Sequence, residues 1–210
     1  MKLKVCGLKH EHNIRDLMEL PIDYMGFIFY KKSPRYIDQS LSFDFMRSIP
    51  KSIKKVGVFV NEKPYSIFNH IAHYDLDLVQ LHGDEPVEVC NELKTQVKVI
   101  KAFQINDNFE FKNLEKYLPV VDYFLFDSTA VNYGGSGQSF NWDILKKYNY
   151  QVPFFLSGGI NEEHINEIKK LNIPQLTAID INSKFETEPG LKNTEQISKF
   201  ILKLNDNGNK

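Results

Sequence analysis

Short apolar runs alternate along the whole chain with longer stretches whose apolar positions recur every three to four residues. The runs cover 3–6, 24–29, 56–60, 78–81, 97–103, 123–126, 154–156 and 176–181. They are bounded by polar and turn residues and rich in valine, isoleucine and aromatics, the mark of buried strands. The stretches 11–20, 64–74, 86–93, 142–148 and 162–171 have the spacing of helices with one buried face, and a last helix fits 194–204. About eight strand-and-connection units of roughly 25 residues each predict an α/β chain folded as a single-domain (β/α)8 TIM barrel over residues 1–204. Residues 205–210 form a polar tail predicted to fray. An open doubly wound sheet is the alternative arrangement.

Alternate strand residues of a small barrel face its interior. On the first strand Lys4 and Cys6 share a face. On the last, Ala178, Asp180 and Asn182 share one. First and last strands are neighbours in a closed barrel, and a lone buried charge is costly, so Lys4 and Asp180 are predicted to meet.

Composition narrows the partners. With 210 residues, 42% of them hydrophobic, the chain can bury one substantial core. A formal net charge of −1 provides no global field for nucleic acid or an anionic membrane, leaving a small molecule as the expected partner. The longest apolar stretch, 25–30, is far short of the roughly 20 residues needed to cross a bilayer. Only Cys6 and Cys90 are present, and the start Met1-Lys2-Leu3-Lys4 lacks the apolar core of a leader, which points to a reducing cytoplasm. Monomer and homodimer both remain open. The histidines show no metal-ligand spacing, and no metal is predicted.

The candidate chemistry lies where strands end, the rim that carries the active site in parallel barrels. Cys6 follows the first strand, a position where a thiol can be activated by neighbouring charge. Arg35 in Ser33-Pro34-Arg35-Tyr36 has the planar fork that binds a carboxylate bidentately. His82 in Gln80-Leu81-His82-Gly83 either orients a ligand or caps its loop. Asp127 ends a strand through Phe124-Leu125-Phe126, apolar surroundings that favour a protonated carboxyl able to serve as general acid. The glycine-rich run after it, including Gly134, Gly135 and Gly137, is long enough to fold over a ligand. Ser157-Gly158-Gly159 and Asn182-Ser183 follow the seventh and eighth strands, the usual phosphate grip of such barrels. Lys101 could form a Schiff base.

Taken together, Val5-Cys6-Gly7-Leu8, Gly26-Phe27-Ile28-Phe29-Tyr30, Ser33-Pro34-Arg35-Tyr36, Val56-Gly57-Val58-Phe59-Val60-Asn61, Gln80-Leu81-His82-Gly83-Asp84-Glu85, Phe126-Asp127-Ser128, Gly134-Gly135-Ser136-Gly137 and Leu156-Ser157-Gly158-Gly159-Ile160 occur in an order that resembles the phosphoribosylanthranilate isomerases of tryptophan biosynthesis. The resemblance covers nearly the whole chain. It implies a cofactor-free Amadori rearrangement of N-(5-phosphoribosyl)anthranilate to 1-(2-carboxyphenylamino)-1-deoxyribulose 5-phosphate. Under it, Asp127 protonates the furanose oxygen, Cys6 as thiolate removes the C2′ proton, and Arg35 holds the anthranilate carboxylate. His82 and Gly135 become substrate-binding residues, and Gly158, Gly159, Asn182 and Ser183 hold the phosphate. Lys4 is the nearest candidate to activate Cys6. Two positions depart from the family pattern. His10 stands where an arginine is common, and Lys184 replaces a glycine, so that either its backbone avoids positive φ or Lys184 adds charge to the phosphate site. Competing readings are another phosphosugar barrel isomerase, a Schiff-base aldolase using Lys101, and a non-catalytic barrel that binds a phosphorylated metabolite.

Overall fold

A computed structural model describes residues 1–37, 40–127 and 142–206. Eight parallel strands, β1 Lys2–Val5, β2 Tyr24–Ile28, β3 Lys54–Phe59, β4 Leu78–Leu81, β5 Lys98–Gln104, β6 Tyr123–Asp127, β7 Phe154–Ser157 and β8 Leu176–Ile181, close in sequence order into a barrel. Closure is made by β1 against β8, in the register Lys4 opposite Asp180, which removes the open-sheet alternative. Every predicted strand is present. Cys6 falls one residue past β1, its N–H donating to the carbonyl of Ile181 at 2.9 Å.

The connecting layer holds α1 Glu11–Met18, α2 Phe43–Ser48, α3 Pro64–Tyr74, α4 Val87–Lys94, α5 Ile165–Leu171 and α6 Thr194–Asn205, with 3₁₀ segments at Phe111–Val120 and Trp142–Lys147. Two of these go beyond the sequence reading. In the Phe111–Val120 segment the buried residues are Phe111, Leu114, Tyr117 and Val120, a spacing of three rather than three to four. That is the period of a 3₁₀ helix, and a search for the α period passes over it. α2 is only six residues long, too short to establish a period, and is fixed by Ser42, whose hydroxyl caps the N–H of Phe45 at 3.2 Å. The sequence-predicted helix 142–148 is likewise 3₁₀, and 162–171 begins with a 3₁₀ turn, Glu162–His164, before α5.

Two cores follow from strand parity. Outward-facing residues such as Phe27, Phe59, Phe124, Phe126 and Phe154 are buried beneath the helices. Inward-facing Tyr24, Val56, Leu78, Ile100, Ala102, Leu125, Phe155 and Ala178 fill the barrel itself. Each such fully buried Leu- or Phe-sized side chain contributes about 1.5–3 kcal/mol. At the opposite end from the candidate site, aspartates immediately before alternate strands fix the register. Asp23, Asp77 and Asp122 accept the backbone N–H groups of Leu3, Lys55 and Val99, each at 2.9 Å.

Past β8 the chain forms a short hairpin, β9 Glu186–Glu188 and β10 Leu191–Lys192, that the apolar pattern does not announce. No helix among the described residues is long and apolar enough to cross a membrane. The predicted fraying tail overlaps α6, which runs to Asn205, and 207–210 lie outside the described residues.

Candidate functional site

The inward parity that packs the barrel interior with apolar residues continues one layer further as polar ones. Lys4, Gln80, Asp127 and Asp180 sit above the Leu78, Leu125 and Ala178 layer, with Cys6 and His82 following at the strand ends. Lys4 and Asp180 meet as predicted, Nζ donating to Oδ2 at 2.7 Å with both side chains buried. Burial alone favours the neutral amine, but the charge of Asp180 and the hydrogen bond to it hold Lys4 above the ordinary lysine range.

Cys6 is 5% exposed. Burial pushes its thiol above the ordinary value; Lys4, by charge and hydrogen bond, and Lys192, by charge, pull the other way, and Asp180 adds to the rise. The positive neighbour that activation of Cys6 needs is present in Lys4, and desolvation outweighs it. Lys192, on β10, is the neighbour the sequence did not reveal.

Across the barrel His82 stands between two groups. Its Nδ1 lies 3.0 Å from the amide nitrogen of Gln80 and its Nε2 3.4 Å from Oδ2 of Asp127. The Gln80 contact holds the imidazole through Nδ1 and leaves Nε2 beside the Asp127 carboxyl, at ion-pair distance without a formed hydrogen bond. The second oxygen of Asp127 is buried with no hydrogen-bond partner among the described residues, as are Oδ1 of Asp180 and Oε1 of Gln80. Buried acceptors left open in this way are uncommon and need a donor to complete them. A cavity of about 550 Å³ opens beside His82, with Asn61, Gln104 and Tyr117 in its wall.

Arg35 does not present an empty fork. Nε and Nη2 grip the carboxylate of Glu186 at 2.5–3.0 Å. The Asn182 side-chain oxygen likewise accepts from Lys192 at 2.7 Å. Ser183 is exposed at the start of a 3₁₀ turn with Lys184, which is not among the positive-φ residues, so the backbone here avoids the conformation that a glycine would permit. After β7, Gly158 and Gly159 have φ of 111° and 62°, and a Cβ built on Gly159 would meet nothing within 4 Å. Consecutive positive-φ glycines, the second facing open space, form a backbone turn that an anion can approach. His10 precedes α1 as its N-cap, with its ring beside His12. Ser128 and the glycine-rich run containing Gly135 lie outside the described residues.

Lys101 is removed from the chemistry. It projects from β5 on the face opposite Ile100 and Ala102, and its Nζ donates to Glu85 at 3.0 Å and to the carbonyls of Gly83, Ala102 and Leu81 at 2.7, 3.2 and 3.4 Å. A nitrogen enclosed by acceptors cannot attack a carbonyl. Among the described residues no three His, Cys, Asp or Glu side chains are grouped so as to hold a metal ion.

Comparison with known proteins agrees with this geometry. The family model described as N-(5′-phosphoribosyl)anthranilate (PRA) isomerase matches residues 3–203. A relative of that name from Parabacteroides distasonis is 42% identical over 206 residues, 97% of this chain and 93% of its own. The crystal structure of phosphoribosyl anthranilate isomerase from Thermotoga maritima superposes with a TM-score of 0.83 at 31% identity, covering 97% of this chain and 98% of that one. A phosphoribosyl anthranilate isomerase solved in complex with reduced 1-(o-carboxyphenylamino)-1-deoxyribulose 5-phosphate gives 0.81 at 29% identity, with the same coverage. Matched by the family model along nearly all of its length, and sharing the barrel with these proteins, the chain belongs to the N-(5′-phosphoribosyl)anthranilate isomerase family.

Proposed function

We propose that this chain catalyses the isomerisation of N-(5′-phosphoribosyl)anthranilate to 1-(2-carboxyphenylamino)-1-deoxyribulose 5-phosphate, a step of tryptophan biosynthesis, with Asp127 as general acid and Cys6 as general base. The observation that carries it is the pairing, on one rim, of a buried thiol flanked by two lysines with a carboxyl group that stands beside a histidine and has one buried oxygen without a hydrogen-bond partner among the described residues.

The roles follow from proton accounting. The Asp127 carboxyl gives its proton to the furanose oxygen as the C1′–O bond breaks, and the anilino lone pair forms the C1′=N bond. Cys6, deprotonated in the reactive complex, takes the proton from C2′, and that electron pair moves to C1′=C2′ to neutralise the nitrogen. The enolamine then takes the Cys6 proton at C1′ and gives its C2′ hydroxyl proton to the Asp127 carboxylate, so the reaction is a net isomerisation and each group returns to its starting state. Arg35 receives the anthranilate carboxylate, while the Gly158-Gly159 turn and the backbone at Asn182-Ser183 take the phosphate. The two free thiols, Cys6 and Cys90, both buried, suit a reducing cytoplasm. The direct test is the decay of substrate fluorescence when purified protein is added to freshly made phosphoribosylanthranilate; no acceleration over the spontaneous decay overturns the assignment.

Two further outcomes are expected. Because the base must be deprotonated and burial raises its pKa, kcat/KM climbs with pH across the neutral range. Lys4→Met removes a cation that lowers the thiol's pKa, so this rising limb moves to higher pH; an unmoved limb rejects Lys4 as an activator. Gly26→Ala places a Cβ 2.7 Å from Sγ and 3.0 Å from Cα of Cys6. Overpacking of this kind costs about 1–3 kcal/mol, visible as a lowered Tm. Displacing the thiol by about 1 Å would cost the order of 100-fold in rate. A Gly26→Ala protein with native Tm and rate would show that Cys6 is not tightly seated.

A further inference from the structure

Arg35, Glu186, Lys192 and Asn182 form one half-buried cluster beside the strand-one loop: a Cβ on Gly7 would stand 2.6 Å from Cδ of Arg35 and 2.7 Å from Oδ1 of Asn182. Glu186 is its hub. One carboxylate accepts from Nε and Nη2 of Arg35, from Nζ of Lys192 at 2.5 Å and from the N–H of Gly190 at 3.1 Å. Burial opposes its ionisation, yet hydrogen bonds from Arg35 and Lys192 hold it below the usual carboxylate range. Burial pulls Lys192 below the ordinary lysine range, but its nitrogen touches only acceptors, Glu186 and Asn182, and remains a donor.

The cluster is rigid because β10 is pinned from outside. The Asn13 side chain on α1 both donates to the carbonyl of Lys192 at 2.9 Å and accepts its N–H at 2.7 Å. Asn193, next in sequence, caps α6 through the N–H of Gln196 at 3.0 Å. Two cations share one anion, so the cluster carries one positive charge in excess. Glu186 uses the Nε–Nη2 edge of the guanidinium. The Nη1 edge, with the remaining Nη2 proton, makes no hydrogen bond among the described residues and can take a second carboxylate in the bidentate manner characteristic of arginine.

From this geometry we infer that Glu186, backed by Lys192, is a positioning residue for carboxylate recognition: it clamps one edge of Arg35 so that the other edge meets the substrate's carboxylate already aligned. The inference rests on the reading of Arg35 given above. A site with its donors fixed by a supporting layer binds without the entropy cost of ordering a long side chain.

The test compares two substrates made in situ, phosphoribosylanthranilate and phosphoribosylaniline, which lacks the carboxylate, with product formation measured for both. Three proteins are needed: wild type, Arg35→Ala, and Glu186→Gln combined with Lys192→Met. The double variant keeps the cluster's excess charge at one, on Arg35, and removes the clamp together with the Lys192 charge near Cys6, which acts on both substrates alike. Its preference for the carboxylate substrate, the ratio of the two kcat/KM values, is expected to fall at least about 10-fold, the value of one charge-assisted hydrogen bond, through KM rather than kcat. Its activity on phosphoribosylaniline is expected to fall only by what losing the Lys192 charge costs Cys6, a loss common to both substrates that cancels in the ratio. Arg35→Ala should lose the preference as well. If Arg35→Ala keeps the preference, the assignment of Arg35 itself fails. If Arg35→Ala loses it but the double variant keeps it, or loses both substrates equally, the positioning role is overturned. Should the double variant not fold, Glu186→Asp, which shortens the clamp by one methylene, is read by the same ratio: a partial loss supports the inference and an unchanged ratio refutes it.

Discussion

Cys6→Ser is expected to lower kcat for phosphoribosylanthranilate at least about 100-fold, the lower range of what a positioned general base contributes. The substitution keeps the size of the side chain and the backbone bond to Ile181, so the barrel should fold and bind substrate with little change in KM. What it removes is acidity. A serine hydroxyl is far weaker as an acid than a thiol, and the fields of Lys4 and Lys192, already outweighed by burial for the thiol, cannot ionise it. Residual turnover within a few-fold of wild type would mean that Cys6 does not take the C2′ proton, and the buried thiol would then be a packing residue.

The second large loss is expected from Asp127→Asn, again at least about 100-fold and again in kcat. Asparagine matches aspartate in shape and keeps an oxygen beside His82 Nε2, which lies 3.4 Å from Oδ2 of Asp127, so the side chain should sit as before. The amide cannot deliver a proton to the ring oxygen. The measurement is single-turnover decay of substrate fluorescence with enzyme in excess, which reads the chemical step without product release. Decay at the wild-type rate would remove Asp127 as the acid and leave ring opening to solvent.

Most of the fold was legible because the signals are local. Eight apolar runs bounded by turns became eight strands, and strand parity was enough to place Lys4 against Asp180 across 176 positions of sequence. Parity works at that range because a closed barrel makes its first and last strands neighbours and a buried charge needs a partner. The elements missed have a physical reason. Phe111–Val120 repeats at three residues per turn, and α2 is shorter than two turns. At the rim, residue type identified Cys6, Arg35, His82 and Asp127, but not their partners. Nothing local to Arg35 tells that Glu186, 151 residues away, occupies its fork. Nor does anything near Lys101 reveal that four acceptors enclose it, which is what separates a structural lysine from a Schiff-base one.

By itself, then, the sequence determined the barrel, the rim on which the chemistry lies and the family whose motifs run from Val5 to Ile160, because each depends on periodicity or on residue identity at a strand end. Only the tertiary structure decided how the charges are shared. Lys4 is paired with Asp180, Glu186 is divided between Arg35 and Lys192, and the Cys6 thiol is raised by burial more than its two lysines lower it. Desolvation and Coulomb interaction depend on distance through space and on what excludes water, and those are set by strands and a hairpin that meet only once the chain has closed on itself.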